Sequence, residues 1–138
     1  MEIYDTVVIG GGQAGLSTAF YLRRKKLNFL VLDENEKPGG AWLHTWDSLR
    51  LFSPVEYSSL NGWKMPKSEQ EFPTKIEFIS YLETYEKRYG FPVKRKTRAI
   101  KIEKDGSYFK VITKNDIFLT KTVVNATGTA KNPFVPNY

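Results

Sequence analysis

A chain of 138 residues, 41% hydrophobic and 14% aromatic, is long enough for one folded domain and too apolar for a disordered protein. It has no cysteine, which excludes disulfides and thiolate metal ligands, and no run of the ~20 apolar residues that a membrane span needs. Its net charge of +6 allows a polyanionic partner, but the basic runs 23–26 and 94–98 lack interleaved aromatic residues, so nucleic-acid binding is not predicted.

The first predicted elements are a buried strand, a glycine-rich turn and a helix. The strand Ile3–Ile9 ends in three consecutive β-branched residues, which is typical of a parallel sheet covered on both faces, and an apolar stripe predicts the helix over 13–25. Gly10, Gly12 and Gly15, where the strand gives way to the helix, have G-x-G-x-x-G spacing. This arrangement predicts a dinucleotide whose diphosphate lies at the helix N-terminus, with Gly12 leaving room for it.

A second strand over 28–32 ends at Asp33, which follows Gly10 by 23 residues (33 − 10 = 23). An acid at this distance accepts a hydrogen bond from the adenosine ribose and disfavours a 2′-phosphate. The pattern therefore favours FAD or NAD over NADP.

Residues 34–73 form a connection far longer than usual, rich in proline, glycine, serine and tryptophan. Irregular connections of this length are usually functional. The segment 38–42, PGGAW, brings a second glycine pair just after the second strand. We therefore expect this loop to face the cofactor.

The remaining pattern predicts one helix and a small antiparallel sheet. Thr74 and Glu77 form a capping box at the start of a helix over 74–89. Short strands at 99–103, 108–113 and 116–120 then predict a β-meander over 99–121. A last apolar strand, 122–126, is expected to return to the parallel sheet.

Several motifs together resemble the N-terminal FAD-binding part of flavin-dependent monooxygenases, above all the bacterial CzcO-like oxidoreductases, with plant YUCCA-type enzymes more distant. These motifs are GGGQAGL at 10–16, LDE at 32–34, GGAW at 39–42, LRLFSP at 49–54, FPTKIEFISYLETY at 72–85 and NATG at 125–128. The resemblance implies an α/β fold: a Rossmann-like FAD-binding domain, with a parallel sheet, a β-α-β start and a small antiparallel β-meander, all within a single partial domain, 1–138.

The resemblance also implies which residues bind FAD. The glycine turn holds the pyrophosphate, the acid after the second strand binds the ribose, and the GG-x-W segment lies along the pyrophosphate and flavin. The backbone near Arg98 and Ala99 frames the adenine, and the ATG at 126–128 marks where the chain leaves the first FAD segment. The candidate cofactor-binding residues are Gly10, Gly12, Gln13, Ala14, Gly15, Asp33, Glu34, Gly40, Ala41, Trp42, Arg50, Ala99, Ala126 and Gly128. Arg50 and its neighbour Ser53 have an alternative role, which is only to order the loop.

Family members continue into an NAD(P)H-binding domain with its own glycine turn, so we expect this chain to be a fragment that is incomplete relative to the family and has little activity alone. In the full enzyme the resemblance implies hydride transfer from NAD(P)H to the flavin, which carries the chemistry. No catalytic residue is assigned and no metal is predicted. His44, the only histidine, is expected to be a hydrogen-bonding spacer.

Two alternatives remain open. One is an NAD-binding dehydrogenase domain, against which GGAW and the meander argue. The other is a non-catalytic remnant that folds but holds the cofactor weakly, by association with another chain that completes its fold. The substrate is unknown. Because the N-terminus enters a strand directly and shows no signal-peptide pattern, we expect a cytoplasmic protein without a membrane partner.

Overall fold

A computed structural model describes all 138 residues and contains one six-stranded sheet of order β3-β2-β1-β6-β5-β4. The elements, in chain order, are β1 (Ile3–Ile9), α1 (Gln13–Arg24), β2 (Phe29–Leu32), α2 (Lys75–Tyr89), β3 (Val93–Lys94), β4 (Ala99–Asp105), β5 (Tyr108–Thr113) and β6 (Ile117–Asn125). Strands β3, β2, β1 and β6 are parallel, while β4, β5 and β6 are antiparallel. The predicted α/β class, with its β-α-β start and meander, is confirmed.

Strand β1 is buried on both faces, as its apolar run predicts. Val8 faces a large core that also contains residues of both helices, while Val7 and Ile9 face a smaller cluster completed by Val111 of β5. Lys94 at the end of β3 lies 2.9 Å from Asp116 in the β5–β6 turn, so the meander curls back across this second face. The helices and the meander thus cover opposite faces of the parallel strands.

The long loop 34–73 contains only two short 3-10 turns, Gly40–His44 and Val55–Tyr57, and aromatic residues of α2 hold it in place. The Tyr81 hydroxyl donates to the Trp63 carbonyl (2.6 Å) and accepts from the Leu60 amide (2.8 Å). The Tyr85 hydroxyl donates to the Asn61 carbonyl, and burial raises the pKa of this phenol. The aromatic rings of α2 therefore pack in the core, while the hydroxyls of Tyr81 and Tyr85 hydrogen-bond to backbone groups of the loop.

The structure corrects the prediction of two separate strands at 116–120 and 122–126. Strand β6 runs without interruption through both, pairing with β5 along its first half and with β1 through most of its length. Thr120 and Thr122 read as a polar break, but their hydroxyls donate to Thr122 O and Asp5 O (both 2.8 Å). Hydrogen-bonded threonines can continue a strand, so these two polar residues do not mark a turn.

The short strand β3 lies at the sheet edge beside β2, with the Val31 amide donating to the Pro92 carbonyl (2.9 Å). The sequence indicates an edge-like strand at 94–98, but β3 ends at Lys94. Neither helix has both the length and the hydropathy to cross a membrane.

Candidate cofactor-binding site

The carboxyl ends of four neighbouring parallel strands meet at one edge of the sheet, where ligands of open α/β sheets bind. Gly10 follows β1 and its amide donates to the Leu32 carbonyl (2.8 Å) at the end of β2. Ala126 follows β6 and its amide donates to the Ile9 carbonyl (2.8 Å). The candidate residues Gly10 and Ala126, which lie far apart in the sequence, are thus neighbours at this edge of the sheet.

Two glycines of the turn are required by close packing of the backbone. Gly10 has φ +110°, and a Cβ there would lie 2.2 Å from the Ala126 carbonyl oxygen. A Cβ on Gly15, in the first turn of α1, would lie 1.8 Å from the Gly10 carbonyl oxygen. These residues let strand β1, helix α1 and the end of β6 approach each other closely.

Gly12 differs, because protein atoms do not crowd it. Its Cβ position would meet only the Cα of Gly40, at an ordinary 3.5 Å, and its backbone is extended with φ −82°. The space on this side of the turn is left open by the fold itself.

Gly12 is also the N-cap of α1, and no side chain caps this helix. The first N–H groups of a helix have no partner within the helix, and no acidic residue lies in the first turn of α1. In α2, by contrast, the Thr74 hydroxyl accepts from the Glu77 amide (3.2 Å) and the Glu77 carboxylate accepts from the Thr74 amide (2.7 Å). The N-terminus of α1 is therefore available to an anion, and that of α2 is not.

The predicted GGAW segment lies against the glycine turn. Gly40 has φ +56°, and a Cβ there would lie 2.6 Å from the Cα of Gly12. The indole Nε1 of Trp42 donates to Gln13 Oε1 (3.1 Å) at the start of α1. Ala41 is exposed between them, and Ala14 is exposed in the first turn of α1.

Asp33 lies beside the same turn and is almost completely buried, with 3% of its side chain exposed. A Cβ on Gly11 would lie 2.7 Å from Asp33 Oδ2. The carboxylate accepts from the amide of Asn35 (3.1 Å) and from its side chain (3.2 Å), and also from the guanidinium of Arg95. Asp33 thus lies beside the glycine turn, inside a hydrogen-bond network that the sequence did not reveal.

The basic run 94–98 lies along the acidic segment 33–36 in the structure. Its charges pair as Arg95 with Asp33, Lys96 with Glu36 (3.0 Å) and Arg98 with Glu34 (3.8 Å). Glu34 also contacts Lys131 Nζ at 2.7 Å. The positive charges of this run are therefore paired with acidic side chains of the same chain.

The other candidates divide between the sheet edge and the loop. Ala99 lines a cleft of about 210 Å³ together with Ile9, Asn125 and Thr127, and Gly128 follows with φ +71° and open space around it. Arg50 lies instead at the start of α2, where its guanidinium donates to the Phe72 carbonyl (3.3 Å).

Ser53 and His44 both make contacts that order the loop. The Ser53 hydroxyl lies 2.8 Å from that of Ser58. His44 Nε2 donates to Asn35 Oδ1 (2.7 Å), as expected of a hydrogen-bonding spacer. This bond links the loop to the Asn35 side chain that in turn supports Asp33.

Sequence reasoning missed Gly11, Asn35 and Arg95 as parts of this site. The need for glycine at position 11 comes from the Asp33 carboxylate packed against it, which no spacing rule reveals. Arg95 meets Asp33 across 62 residues of sequence. The one available signal was the complementary charge of segments 33–36 and 94–98.

Comparison with known proteins gives consistent matches over nearly the whole chain. A family model described as pyridine nucleotide-disulphide oxidoreductase matches residues 7–138. The protein described as uncharacterized oxidoreductase CzcO of Bacillus subtilis is 38% identical over 135 residues, covering 98% of this chain and 39% of its own length.

Solved structures share the fold closely. A flavin-containing monooxygenase from Stenotrophomonas maltophilia is 42% identical with a TM-score of 0.96, over 100% of this chain and 42% of its own. The bacillithiol disulfide reductase Bdr from Bacillus cereus is 27% identical with a TM-score of 0.89, over 99% of this chain and 42% of its own. The chain thus spans about two fifths of the length of each of these three relatives.

Proposed function

Because this chain belongs to the pyridine nucleotide-disulphide oxidoreductase family, in its group of flavin monooxygenases and CzcO-like oxidoreductases, we propose that it binds FAD by the adenosine and diphosphate half. The observation that carries this proposal is the uncapped N-terminus of α1 with Gly12 at its N-cap. Unpaired N–H groups and the helix dipole favour a diphosphate at such a terminus. The open side of Gly12 fits a diphosphate, because a Cβ there would meet only one protein atom.

The chain's own residues would then bind and orient the cofactor. In this proposal the diphosphate contacts the turn at Gly12, Gln13 and Ala14, Asp33 accepts from the ribose, and the adenine lies near Ala99 and Ala126. Gly40, Ala41 and Trp42 shield the diphosphate from water, since this segment crosses the turn. FAD supplies hydride and electron transfer when bound, and the protein supplies position and polarity.

For the whole protein we propose a flavin-dependent oxidoreductase or monooxygenase that uses NAD(P)H. The chain covers about two fifths of the length of the CzcO and flavin-containing monooxygenase relatives, so the reaction, the substrate and the hydride donor are proposed for the whole protein and not for this chain alone. An NAD-binding domain is the alternative, since the glycine turn and Asp33 also suit NAD. The position of Gly40 against Gly12 and the group of relatives favour FAD.

The test is titration of the purified chain with FAD, followed by flavin fluorescence and absorbance, for wild type and Gly12→Asp. We expect Gly12→Asp to abolish FAD binding. The new carboxylate would occupy the position of the diphosphate and accept hydrogen bonds from the N–H groups of α1 that the diphosphate would otherwise use. The same carboxylate is a good N-cap in extended backbone, so stability is retained or rises by a few tenths of a kcal/mol. Loss of binding without loss of stability separates the site from the fold.

Gly106→Asp is the control for the change in charge; at this β4–β5 turn no atom lies near the new Cβ, but φ is +60°, so a loss of about 1 kcal/mol of stability is expected. It is expected to bind FAD like wild type. Unchanged FAD affinity in Gly12→Asp contradicts the proposed placement. A wild-type chain that binds NADH and ignores FAD supports the dehydrogenase alternative instead.

A further inference from the structure

The Asp33 carboxylate is left with one hydrogen-bonding position free. An ionised carboxylate accepts about four hydrogen bonds, two at each oxygen. Oδ1 accepts two from Asn35, and Oδ2 accepts one from Arg95. The remaining position is on Oδ2, the oxygen that lies beside Gly11 of the turn.

Arg95 is itself held from two sides. One terminal nitrogen of its guanidinium donates to Asp33, which directly follows β2, and the other donates to Glu86 Oε2 of α2. All three side chains are less than one-fifth exposed. The planar guanidinium donates from separate nitrogens in a fixed geometry, whereas a lysine ammonium is a compact charge on a flexible stem and fixes the direction of neither carboxylate.

Backbone hydrogen bonds from the end of β3 and the residues after it also hold Asp33 in place. The Asp33 amide donates to the Lys94 carbonyl and the Thr97 amide donates to the Asp33 carbonyl, both at 2.9 Å. Lys96 has φ +52°, so the chain turns sharply and its amide donates to the Asn35 carbonyl (3.1 Å). Residues 94–97 therefore form a strap around Asp33, with Arg95 pointing inward.

A buried cation between two buried carboxylates is weak evidence for stability, since removing the charges from water offsets much of their attraction. What this arrangement does specify is the direction of one short side chain. We propose that Arg95 is a positioning residue, which holds Asp33 so that the free position on Oδ2 accepts a ribose hydroxyl of an adenosine diphosphate group. This inference rests on the proposed function and assigns a role to a residue outside the glycine motif.

The experiment compares ADP with 2′,3′-dideoxy-ADP by titration calorimetry on the whole chain, because the two ligands differ only in the ribose hydroxyls. Wild type is expected to bind ADP about tenfold or more tightly than dideoxy-ADP, as for a hydrogen bond to a charged group. In Arg95→Met this ratio is expected to fall close to one, through weaker binding of ADP. Arg95→Lys keeps the charge without the fork and is expected to give an intermediate ratio.

Lys96→Met is the matched control, since it removes one positive charge from the same strap at an exposed ion pair with Glu36. Its ratio is expected to equal that of wild type. If Arg95→Met lowers the affinities for both ligands equally, Arg95 only stabilises the fold and the inference is wrong. The inference is also wrong if Glu34→Gln removes the ratio and Asp33→Asn does not, because Glu34 is then the ribose acceptor.

Thermal unfolding by circular dichroism accompanies each titration. If Arg95→Met does not fold, the double variant Arg95→Met/Glu86→Gln replaces it, because it does not leave the Glu86 carboxylate buried without its partner. The same change in the ADP to dideoxy-ADP affinity ratio is expected. A wild-type chain that binds neither ADP nor FAD overturns the proposed function together with this inference. A wild-type chain that binds both, with an unchanged ratio in the Arg95 variants, overturns the inference alone.

Discussion

At the scale of single residues, the glycines of the turn serve different purposes although one motif contains them all. Gly10 and Gly15 permit contacts between backbone segments, Gly11 makes room for the Asp33 carboxylate, and Gly12 borders open space. Substitution at Gly15 therefore tests packing, whereas substitution at Gly12 tests ligand binding.

We predict that Gly15→Ala destabilises the chain by about 3 kcal/mol or more, because its methyl group would overlap the Gly10 carbonyl and push α1 away from β1. Urea unfolding followed by circular dichroism measures this. Ala14→Ser, one residue earlier at an exposed position, is expected to cost no more than about 0.5 kcal/mol. Equal stabilities for the two variants would show that α1 does not need this close approach.

At the scale of elements, the two helices differ in how their N-termini are satisfied. Helix α2 carries a complete capping box and basic residues in its last turn, so its ends are satisfied within the chain. Helix α1 has a glycine N-cap and no side-chain cap. Helix α2 is thus specified locally, while α1 depends on packing by Leu16 and Ala19 against the sheet.

The contact between Glu86 of α2 and Arg95, which directly follows β3, makes stability depend on pH. Burial raises the pKa of Glu86 above its usual range, and Arg95 offsets part of that rise. The folded chain then holds this proton to a higher pH than the unfolded chain, for which the pKa is about 4.3. The contribution of Glu86 to stability therefore falls as pH rises from about 4.3 through the raised value.

We predict that Glu86→Gln removes this contribution, so the unfolding free energy of the variant improves relative to wild type as pH rises through that interval. Parallel denaturant titrations at several pH values measure the difference. Glu83→Gln, an exposed pair of Lys87 on the same helix, serves as the control and is expected to give no such change. If the difference in unfolding free energy between Glu86→Gln and wild type stays the same at every pH, burial does not raise the pKa of Glu86 and the prediction is wrong.

At the scale of the whole molecule, the meander closes the second face of the parallel strands. Val111 of β5 is completely buried among Val7, Ile9 and Leu32, and the Lys94–Asp116 contact ties the far end of the meander to β3. The edge that gathers Gly10, Asp33 and Ala126 is therefore supported from both faces.

We predict that Val111→Ala lowers the unfolding free energy by about 2 kcal/mol, because it leaves a cavity over β1 and β2. Ile100→Ala, on strand β4 with 65% of its residue surface exposed, is expected to change it by less than about 0.5 kcal/mol. Thermal and urea unfolding measure both. A Val111 variant as stable as the Ile100 variant would mean that the meander contributes little to the core.

Much of the fold was predictable because its signals are local. The apolar run of β1, the glycine turn, the capping box of α2 and the strands β4 and β5 of the meander each lie within one stretch of sequence. Strand β3 has two residues, too few to fix its bounds from sequence, so the sequence predicts the edge strand at 94–98. Strand β6 was divided in two because the bonds of Thr120 and Thr122 to β1 are invisible in sequence.

The sequence by itself determined the strand–turn–helix start, the place of an acid after the second strand and the class of fold, because periodicity and glycine spacing act over a few residues. Only the tertiary structure decided that Arg95 joins Asp33 to Glu86, that Gly40 lies against Gly12, and that the basic run 94–98 meets the acidic segment 33–36. Such contacts depend on the strand order β3-β2-β1-β6, which brings distant segments to one edge of the sheet. No local preference of a residue specifies which segment will become its neighbour there.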